Sequence, residues 1–491
     1  MKNNISTMGI LFLFYTFSAA LFLAALQGNI AITFIALIFF SQQLYVCIHM
    51  ARNNYIYTAT MNFFHLATAI VFVWIFYKID FVEANEYHNY SVFTFSNMKY
   101  GIQLLILCLL ISSIIYVILL YRWPPKENYT FKYLFFATCG SARHWRPGIL
   151  FSHLLFVVVI TLIFFISNPS VLDIPYPYQR AAQWVPGRLS EAMVFWAAAV
   201  LCLAYINASI IEQHLTFFKN AARISFIIVS ILILFLNGNR GLFCGVWLLF
   251  GFCEIYLARQ RSGGSYGWGV LFLLLAYLGY VSWDVIRSQG ASAPTMYLLE
   301  RAFLAATWSL NTDGAQNVGY ALRLNRIPTF SHMIFHLLYA IDLVERGYSL
   351  EGATFLNLFP QLLPRFLEPI VGERPLNDNW LLSEYFAHGG GFLAVANAYW
   401  NGGILVLAMF MASISAIFGA MDRCNMNVET GTIYRAAYWI WLPVMAIQLG
   451  YGIQGLVRVI EYLCLAFIMD RLWRYYRRRD VRGGENQPIE G

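Results

Sequence analysis

Residues 101–121 read GIQLLILCLLISSIIYVILLY, an apolar run that holds no charged side chain and is followed at once by Arg122. A helix needs about 20 apolar residues to cross the roughly 30 Å hydrocarbon core of a bilayer, so this run predicts a membrane-spanning helix. The rest of the chain agrees, because 59% of its 491 residues are hydrophobic and only 12% are charged. A water-soluble domain carries about 25% charged residues. The sequence therefore predicts an all-α, polytopic integral membrane protein.

Similar apolar runs recur along the chain and predict about 12 transmembrane helices. They cover residues 8–26, 30–49, 59–77, 101–121, 148–167, 191–211, 224–237, 241–257, 268–284, 392–420, 433–452 and 456–472. We divide the chain accordingly into spans 1–9 with short loops (1–284), one large extracytoplasmic loop (285–390), spans 10–12 (391–472) and a basic tail (473–491). The first run is interpreted as an anchor, since a second span follows it directly.

The positions of arginine and lysine in the short loops and the tail predict the orientation in the membrane. The basic residues that share one side are Arg122, Lys126, Lys132, Arg143, Arg146, Lys219, Arg223, Arg259, Arg261, Arg423, Arg471, Arg474, Arg477, Arg478, Arg479 and Arg482. Short cytoplasmic loops carry the excess of basic residues. Both termini are therefore expected in the cytoplasm, and the loop 285–390 on the outer side. The net charge of +7 needs no nucleic acid to explain it, because much of it lies in these loops and in the tail.

The large loop contains arginine but no lysine. Its cations are Arg287, Arg301, Arg323, Arg326, Arg346, Arg365 and Arg374. Arginine binds phosphate through paired, parallel hydrogen bonds, which lysine cannot do. We hypothesise that part of this set holds an anionic substrate group. The alternative is that acidic neighbours such as Asp342 and Glu345 neutralise the arginines in ordinary surface ion pairs.

Within the loop, apolar residues at helical spacing predict two amphipathic helices near the outer interface, at 297–310 and 331–345. Four prolines follow and predict turns: Pro360, Pro364, Pro369 and Pro375. A loop of this length between packed spans is usually functional.

Three arginines are the strongest candidates for contact with phosphate. Arg240 lies in a turn between Gly238 and Gly241, where glycine permits close approach of the backbone to a ligand. Arg287 follows the ninth predicted span, and Arg365 follows a proline in the loop. An interfacial anchor whose charged end extends to water is the alternative role for Arg240.

Asp378, Glu384 and His388 are the candidates for a general base. Glu384 and His388 are four residues apart and would share one face of a helix. His332 and His336 have the same spacing, but no third ligand accompanies them, so we interpret them as helix-face residues. No metal-binding or Walker motif occurs, and the eight cysteines form no paired CxxC pattern. Neither a metal nor another cofactor is expected.

The layout resembles the O-antigen polymerase (Wzy) family, within the polysaccharide polymerase and O-antigen ligase group of C-type membrane glycosyltransferases. The turn Asn239-Arg240-Gly241 is similar to the Ser-Arg-Gly that opens a span in that group. The long outer loop, with Leu363-Pro364-Arg365 inside it, is the second feature. The third is the entry into the next span, which ends Ala396-Asn397-Ala398-Tyr399-Trp400-Asn401-Gly402-Gly403. The resemblance covers most of the chain as architecture and few residues as motif.

The resemblance implies a metal-independent glycosyltransferase in the bacterial cell inner membrane. It would polymerise undecaprenyl-pyrophosphate-linked oligosaccharide repeat units into O-antigen or a related polysaccharide on the outer face. The arginines would stabilise charge that develops on the pyrophosphate leaving group, and Asn397 and Tyr399 would join Arg365 and Asp378 in binding substrate. Membrane lipid and a chain-length regulator protein are the implied partners.

Two alternatives stay open at this point. An O-antigen ligase would have the same fold and a different acceptor. A lipid-glycan flippase or transporter would also have about 12 spans, but would place polar groups near the bilayer midplane. The predicted spans hold few ionisable residues, among them His65, Glu254 and Glu461, which favours the enzyme.

Overall fold

The computed structural model describes residues 32–78, 94–123, 216–231, 240–260, 266–276, 328–362, 393–427, 432–450 and 452–484, with isolated positions between 152 and 205. These residues are mostly helical and include no strand. The helices are α1 (Ile32–Arg52), α2 (Ile56–Lys78), α3 (Phe95–Arg122), α4 (Thr216–Ser230), α5 (Arg240–Gln260), α6 (Gly267–Ala276), α7 (Pro328–Glu345), α8 (Ala353–Leu362), α9 (Ala394–Trp400), α10 (Gly403–Met426), α11 (Thr432–Gln448) and α12 (Ile453–Gly484).

Three of the described stretches are long and apolar enough to cross a membrane: Ile56–Val73, Phe95–Arg122 and Gly403–Met426. Shorter apolar helices run over Cys244–Ile255, Gly267–Ala276 and Ala437–Ala446. The prediction of a helical protein with membrane-length helices is confirmed for this part of the chain. The first predicted span lies outside the described residues, and the total of about 12 spans stays a prediction.

Helices α2 and α3 form the centre of the bundle and run antiparallel. The Asn62 amide on α2 donates to the Ser112 hydroxyl on α3 at 2.7 Å. Further along, a β-carbon added at Gly101 of α3 would lie 2.8 Å from the ring of Phe72 on α2. The missing side chain therefore lets the two helices approach closely, as small residues do in membrane bundles. Helices α1, α7, α10 and α11 pack around this pair.

A buried carboxylate joins α10 to the beginning of α2. Asp422 accepts hydrogen bonds from the Tyr57 amide at 2.9 Å and from the Thr58 amide at 3.1 Å. It also accepts the Thr58 hydroxyl at 2.8 Å and the Tyr438 hydroxyl. The first amides of a helix have no partner within the helix. Asp422 supplies that partner from a different helix, and its acceptor oxygens lie at the positive end of the α2 dipole.

Other contacts gather at this end of the bundle, which we call the Asp422 end. Asp470 on α12 accepts from the Tyr434 amide at 3.1 Å and so caps α11 in the same way. Tyr55, in the turn before α2, donates its hydroxyl to the Trp123 carbonyl at 3.2 Å. Burial raises the pKa of Tyr55 to about 12, which favours the protonated hydroxyl that donates this bond. Helix ends far apart in sequence are thereby fixed side by side.

The single span predicted over residues 392–420 is wrong in detail, because the chain breaks there into two helices. The seven residues of α9 are all buried, and a turn at Asn401 and Gly402 separates them from α10. Gly403, which opens α10, has a φ of 65°, a left-handed conformation that favours glycine. Residues from α9 onward therefore form a short buried helix followed by a membrane-length one.

The helix predicted over residues 331–345 of the large loop is confirmed as α7, which begins slightly earlier, at Pro328. It lies deeper than an interfacial helix. Leu337, Leu338 and Ile341 are fully buried in the core, and α7 packs on α2, α3 and α9. The prediction of a turn at Pro360 is wrong, since α8 continues through it and ends two residues later. Near a helix end, the missing proline amide removes a single bond from the ladder.

Candidate functional site

The described part of the segment predicted to be the large loop is attached by hydrogen bonds to the break between α9 and α10. We call this attachment the clasp and define it as residues 348–354 together with Trp400 and Asn401. The Leu350 amide donates to the Trp400 carbonyl at 3.0 Å, and the Gly352 amide donates to the Asn401 carbonyl at 2.9 Å. The Trp400 indole N–H donates to the Tyr348 carbonyl at 2.9 Å. Helix ends normally leave carbonyls without partners, and here the loop backbone satisfies them.

Asn401 is the centre of the clasp. Its Oδ1 accepts from the Thr354 amide at 3.0 Å, and its Nδ2 donates to the Thr354 hydroxyl at 2.7 Å. Nδ2 also lies 2.8 Å from the Asn397 carbonyl and 3.0 Å from Asn397 Oδ1. Both Asn401 and Thr354 are buried. One side chain therefore joins the start of α8 to the end of α9.

Asn397 and Tyr399, which the family resemblance implied as substrate-binding residues, are both buried beside the clasp. Asn397 is 2% exposed and Tyr399 4% exposed. The Tyr399 hydroxyl donates to the Tyr100 hydroxyl at 3.3 Å, and the two rings meet edge to face with centroids 6.0 Å apart. The contacts that the structure gives both residues are internal ones that position α9. Contact with substrate stays a prediction for each.

The clasp lies at the end of the bundle opposite the Asp422 end. Tyr100, which contacts α9, is near the beginning of α3, whereas Trp123, which contacts Tyr55, follows its last residue. The 28 residues of α3 correspond to a rise of about 42 Å. The Ala394 amide donates to the Leu449 carbonyl at 2.9 Å, so the end of α11 also reaches the clasp end.

Arg346 is the one loop arginine whose side chain belongs to the described residues. Its Nε lies 3.0 Å from the Asp342 carboxylate, one helical turn away, and its side chain is 58% exposed. An exposed pair of this kind contributes about 0.3–0.5 kcal/mol. Arg346 therefore forms an ordinary surface ion pair with an acidic neighbour, which was the alternative to binding an anionic substrate group.

The other predicted site residues are described only in part or not at all. Arg240 is the first residue of α5, which places it at the N-terminal end of that helix. The remaining five, Arg287, Arg365, Asp378, Glu384 and His388, lie outside the described residues. Their predicted roles are unchanged.

A buried charged cluster joins α4, α5 and the position of Tyr205. Glu254 accepts from the Arg223 Nε at 2.9 Å and from the Tyr205 hydroxyl at 2.6 Å. A second guanidinium nitrogen of Arg223 donates to the other carboxylate oxygen. The guanidinium also lies 5.1 Å from the centroid of the Trp268 ring, a cation–π distance. The ring of Tyr205 stacks on Phe250 at 3.9 Å.

This cluster corrects the predicted position of Arg223, which the sequence placed in a cytoplasmic loop. It lies inside α4, about two turns beyond its start, and its side chain is 11% exposed. A buried ion pair is costly to form and strongly destabilising to break. The cluster therefore fixes the relative position of α4 and α5, the helix that begins at Arg240.

The histidines give no metal centre within the described residues, where no group of three His, Cys, Asp or Glu side chains lies close enough to hold a metal ion. His336 is buried on α7, which agrees with its interpretation as a helix-face residue.

Sequence reasoning missed Asn401, Thr354, Asp422 and the Arg223–Glu254 pair. A sequence signal for Asn401 was present, because Asn-Gly-Gly at 401–403 is a strong turn sequence inside an apolar run. No sequence signal could have found Asp422, whose partner Tyr57 is 365 residues away.

No family model, curated protein or solved structure matches this chain. The fold and the contacts above therefore define the class only broadly. The three membrane-length apolar helices indicate an α-helical membrane protein.

Proposed function

We propose that this protein is a membrane glycosyltransferase that polymerises lipid-linked oligosaccharide repeat units. Its substrates would be undecaprenyl-pyrophosphate-linked oligosaccharides, and its product O-antigen or a related surface polysaccharide. The reaction would take place on the outer face of a bacterial inner membrane, with both termini in the cytoplasm. The growing glycan would pass from its lipid carrier to the non-reducing sugar of an incoming repeat.

The observation that carries the proposal is the attachment of the large loop to the bundle. The loop helix α7 is packed on α2 and α3 with residues 336–341 buried, and the clasp ties the residues that follow α7 to α9. A loop held in this way is suited to present side chains at a membrane surface, whereas a connector needs no such contacts. A lipid-linked substrate would carry its pyrophosphate at a membrane surface, where such a loop could contact it.

In the proposed reaction, negative charge develops on the pyrophosphate as its bond to the anomeric carbon breaks. Arg240 and Arg287 would stabilise that charge, and Arg365 would hold the substrate phosphate. Fixed cations directed at developing charge are among the largest contributions to catalysis. Glu384 or His388 would take the proton from the acceptor hydroxyl. The pyrophosphate is already a good leaving group, so the chemistry does not call for a metal.

The direct test is purified full-length protein incubated with lipid-linked repeat, with and without a chelator. Chain extension in both reactions, and its loss in Arg240→Ala and Arg287→Ala at unchanged protein abundance, is the expected result. Normal extension by both variants would remove the arginines from the mechanism. Absence of glycan chain extension by the native protein would contradict the proposed function itself.

An O-antigen ligase remains the nearest alternative, and a null strain separates the two. Loss of a polymerase leaves single repeats on the lipid A core, whereas loss of a ligase leaves the core bare.

A transporter is a second candidate because of one specific observation, the buried charges of Arg223 and Glu254. Ionisable groups inside a membrane protein often mark a transport path. Here both Glu254 oxygens accept hydrogen bonds from Arg223, and one of them also accepts from Tyr205. A carboxylate held by three such bonds is suited to joining helices rather than to exchanging partners. Transport of lipid-linked repeat into proteoliposomes, without chain extension, would favour the transporter.

A further inference from the structure

Helix α8 is an uncharged helix with a strongly exposed leucine. Residues 352–364 read GATFLNLFPQLLP and contain no aspartate, glutamate, lysine, arginine or histidine. Within α8, Thr354 is buried, whereas the Leu356 side chain is 74% exposed. A single exposed leucine is ordinary on a water-soluble protein. Its meaning in this protein therefore depends on where α8 lies relative to the bilayer.

Helix α8 is held against the bundle by one of its sides. The rings of Phe355 on α8 and Phe410 on α10 have centroids 6.3 Å apart. Phe355 and Leu358 both pack against the hydrophobic core, and α8 also contacts α12. Because a helix advances about 100° per residue, Leu356 lies about 160° around α8 from Leu358. Leu356 is therefore on the side of α8 that faces away from the bundle.

The contact with Phe410 gives the depth of α8. The 24 residues of α10 rise about 36 Å, so a centred helix extends about 3 Å beyond each boundary of a hydrocarbon core of about 30 Å. Phe410 is seven residues after Gly403, which is about 10 Å along α10. Phe410 then lies about 7 Å inside the hydrocarbon, within the 5–10 Å to which interfacial helices bury their apolar face.

The outer surface of α10 at this depth is apolar. Ile404, Leu405 and Met409 are 52%, 67% and 53% exposed, and all three belong to a helix long enough to cross a membrane. Exposed apolar side chains on such a helix face the lipid tails. Phe355, which contacts α10, directly precedes Leu356. The exposed side of α8 therefore adjoins the lipid-facing surface of α10.

We propose that the exposed side of α8, which carries Leu356, is buried among the lipid tails of the leaflet at the clasp end. The partner of this surface is phospholipid. Free interfacial helices use basic residues to bind anionic lipid, but α8 needs none because the clasp and Phe355 already attach it to the bundle. The inference does not depend on the proposed glycosyltransferase activity, since it requires only that α10 cross a bilayer.

The test places the photoreactive residue benzoylphenylalanine at position 356 of the full-length protein in nanodiscs of phosphatidylethanolamine and phosphatidylglycerol. Irradiation should give a covalent adduct with a lipid acyl chain, which mass spectrometry of the peptide detects. Position 405 on α10 is the lipid-facing reference. Position 346 is the matched control, because Arg346 is also exposed, at 58%, and forms a surface ion pair with Asp342. The lipid adduct should be lost at position 346.

Hydroxyl-radical footprinting of the unmodified protein in the same nanodiscs is a second measurement that needs no substitution. Oxidation of Leu356 should be as low as that of Leu405, because the radicals form in water and are scarce among lipid tails.

Four results would overturn the proposal. Adducts at position 405 without any at position 356, or strong oxidation of Leu356, would place the exposed side of α8 in water. Equal adduct yields at positions 346 and 356 would show lipid contact without a preferred side. Adducts at neither 405 nor 356 would remove the lipid-facing surface of α10 itself. A cross-link between two copies of the chain at position 356 would make a second copy, and not lipid, the partner of α8.

Discussion

Replacing Asn401 by alanine tests whether the clasp holds residues 348–354 on the bundle. The Asn401 side chain accepts one hydrogen bond from the Thr354 amide and has two amide hydrogens to share among three acceptors. At most three bonds therefore exist at one time. With about 1 kcal/mol for each neutral hydrogen bond, the variant should lose about 3 kcal/mol.

The loss should be local, because the bonds lie between residues 348–354 and the end of α9. About 3 kcal/mol corresponds to roughly a 150-fold change in an opening equilibrium. Hydrogen exchange with mass spectrometry should show protection of residues 348–356 falling by up to that factor in Asn401→Ala. Peptides from α2 and α3 should keep their protection, because the core that they form does not include Asn401.

A matched control is available at the Asp422 end of the bundle. Asn53 is also an asparagine in a turn after a helix, and its amide donates to the His49 carbonyl at 2.9 Å and to the Tyr116 hydroxyl at 3.2 Å. Asn53→Ala should leave protection of residues 348–356 unchanged. Unaltered protection in Asn401→Ala, or the same loss in both variants, would refute the role assigned to the clasp.

Three further changes probe the bundle and the proposed activity. Asp422→Ala leaves four buried donors without their acceptor. Thermal unfolding in detergent should show that the free energy of unfolding falls by about 3–5 kcal/mol. A melting temperature within error of the native one would contradict this. Glu254→Gln should lower the free energy of unfolding by about 3–5 kcal/mol, because it leaves the Arg223 charge without its partner. The double variant Arg223→Met/Glu254→Leu should recover most of that stability in the same thermal unfolding measurement. Arg240→Lys should be as inactive in glycan extension as Arg240→Ala, because lysine cannot form paired hydrogen bonds to phosphate. Full activity of Arg240→Lys would show that a point charge is enough.

The sequence determined the class of structure because membrane helices depend on a local property. A run of about 20 apolar residues is enough to predict a span, and α2, α3 and α10 lie where such runs occur. Helical spacing likewise located α7 to within a few residues at its start. Asn397 and Tyr399, which the resemblance implied as substrate-binding residues, make internal contacts in the structure, and their contact with substrate stays a prediction.

Only the tertiary structure decided the contacts between residues far apart in sequence. Asp422 caps a helix that begins more than 360 residues earlier, and Asn401 bonds Thr354 across 47 residues. Hydrophobicity shows that a segment is buried but not which buried donor will meet which acceptor. Those pairings are set when the helices pack, because each buried polar group must then find its partner inside the bundle.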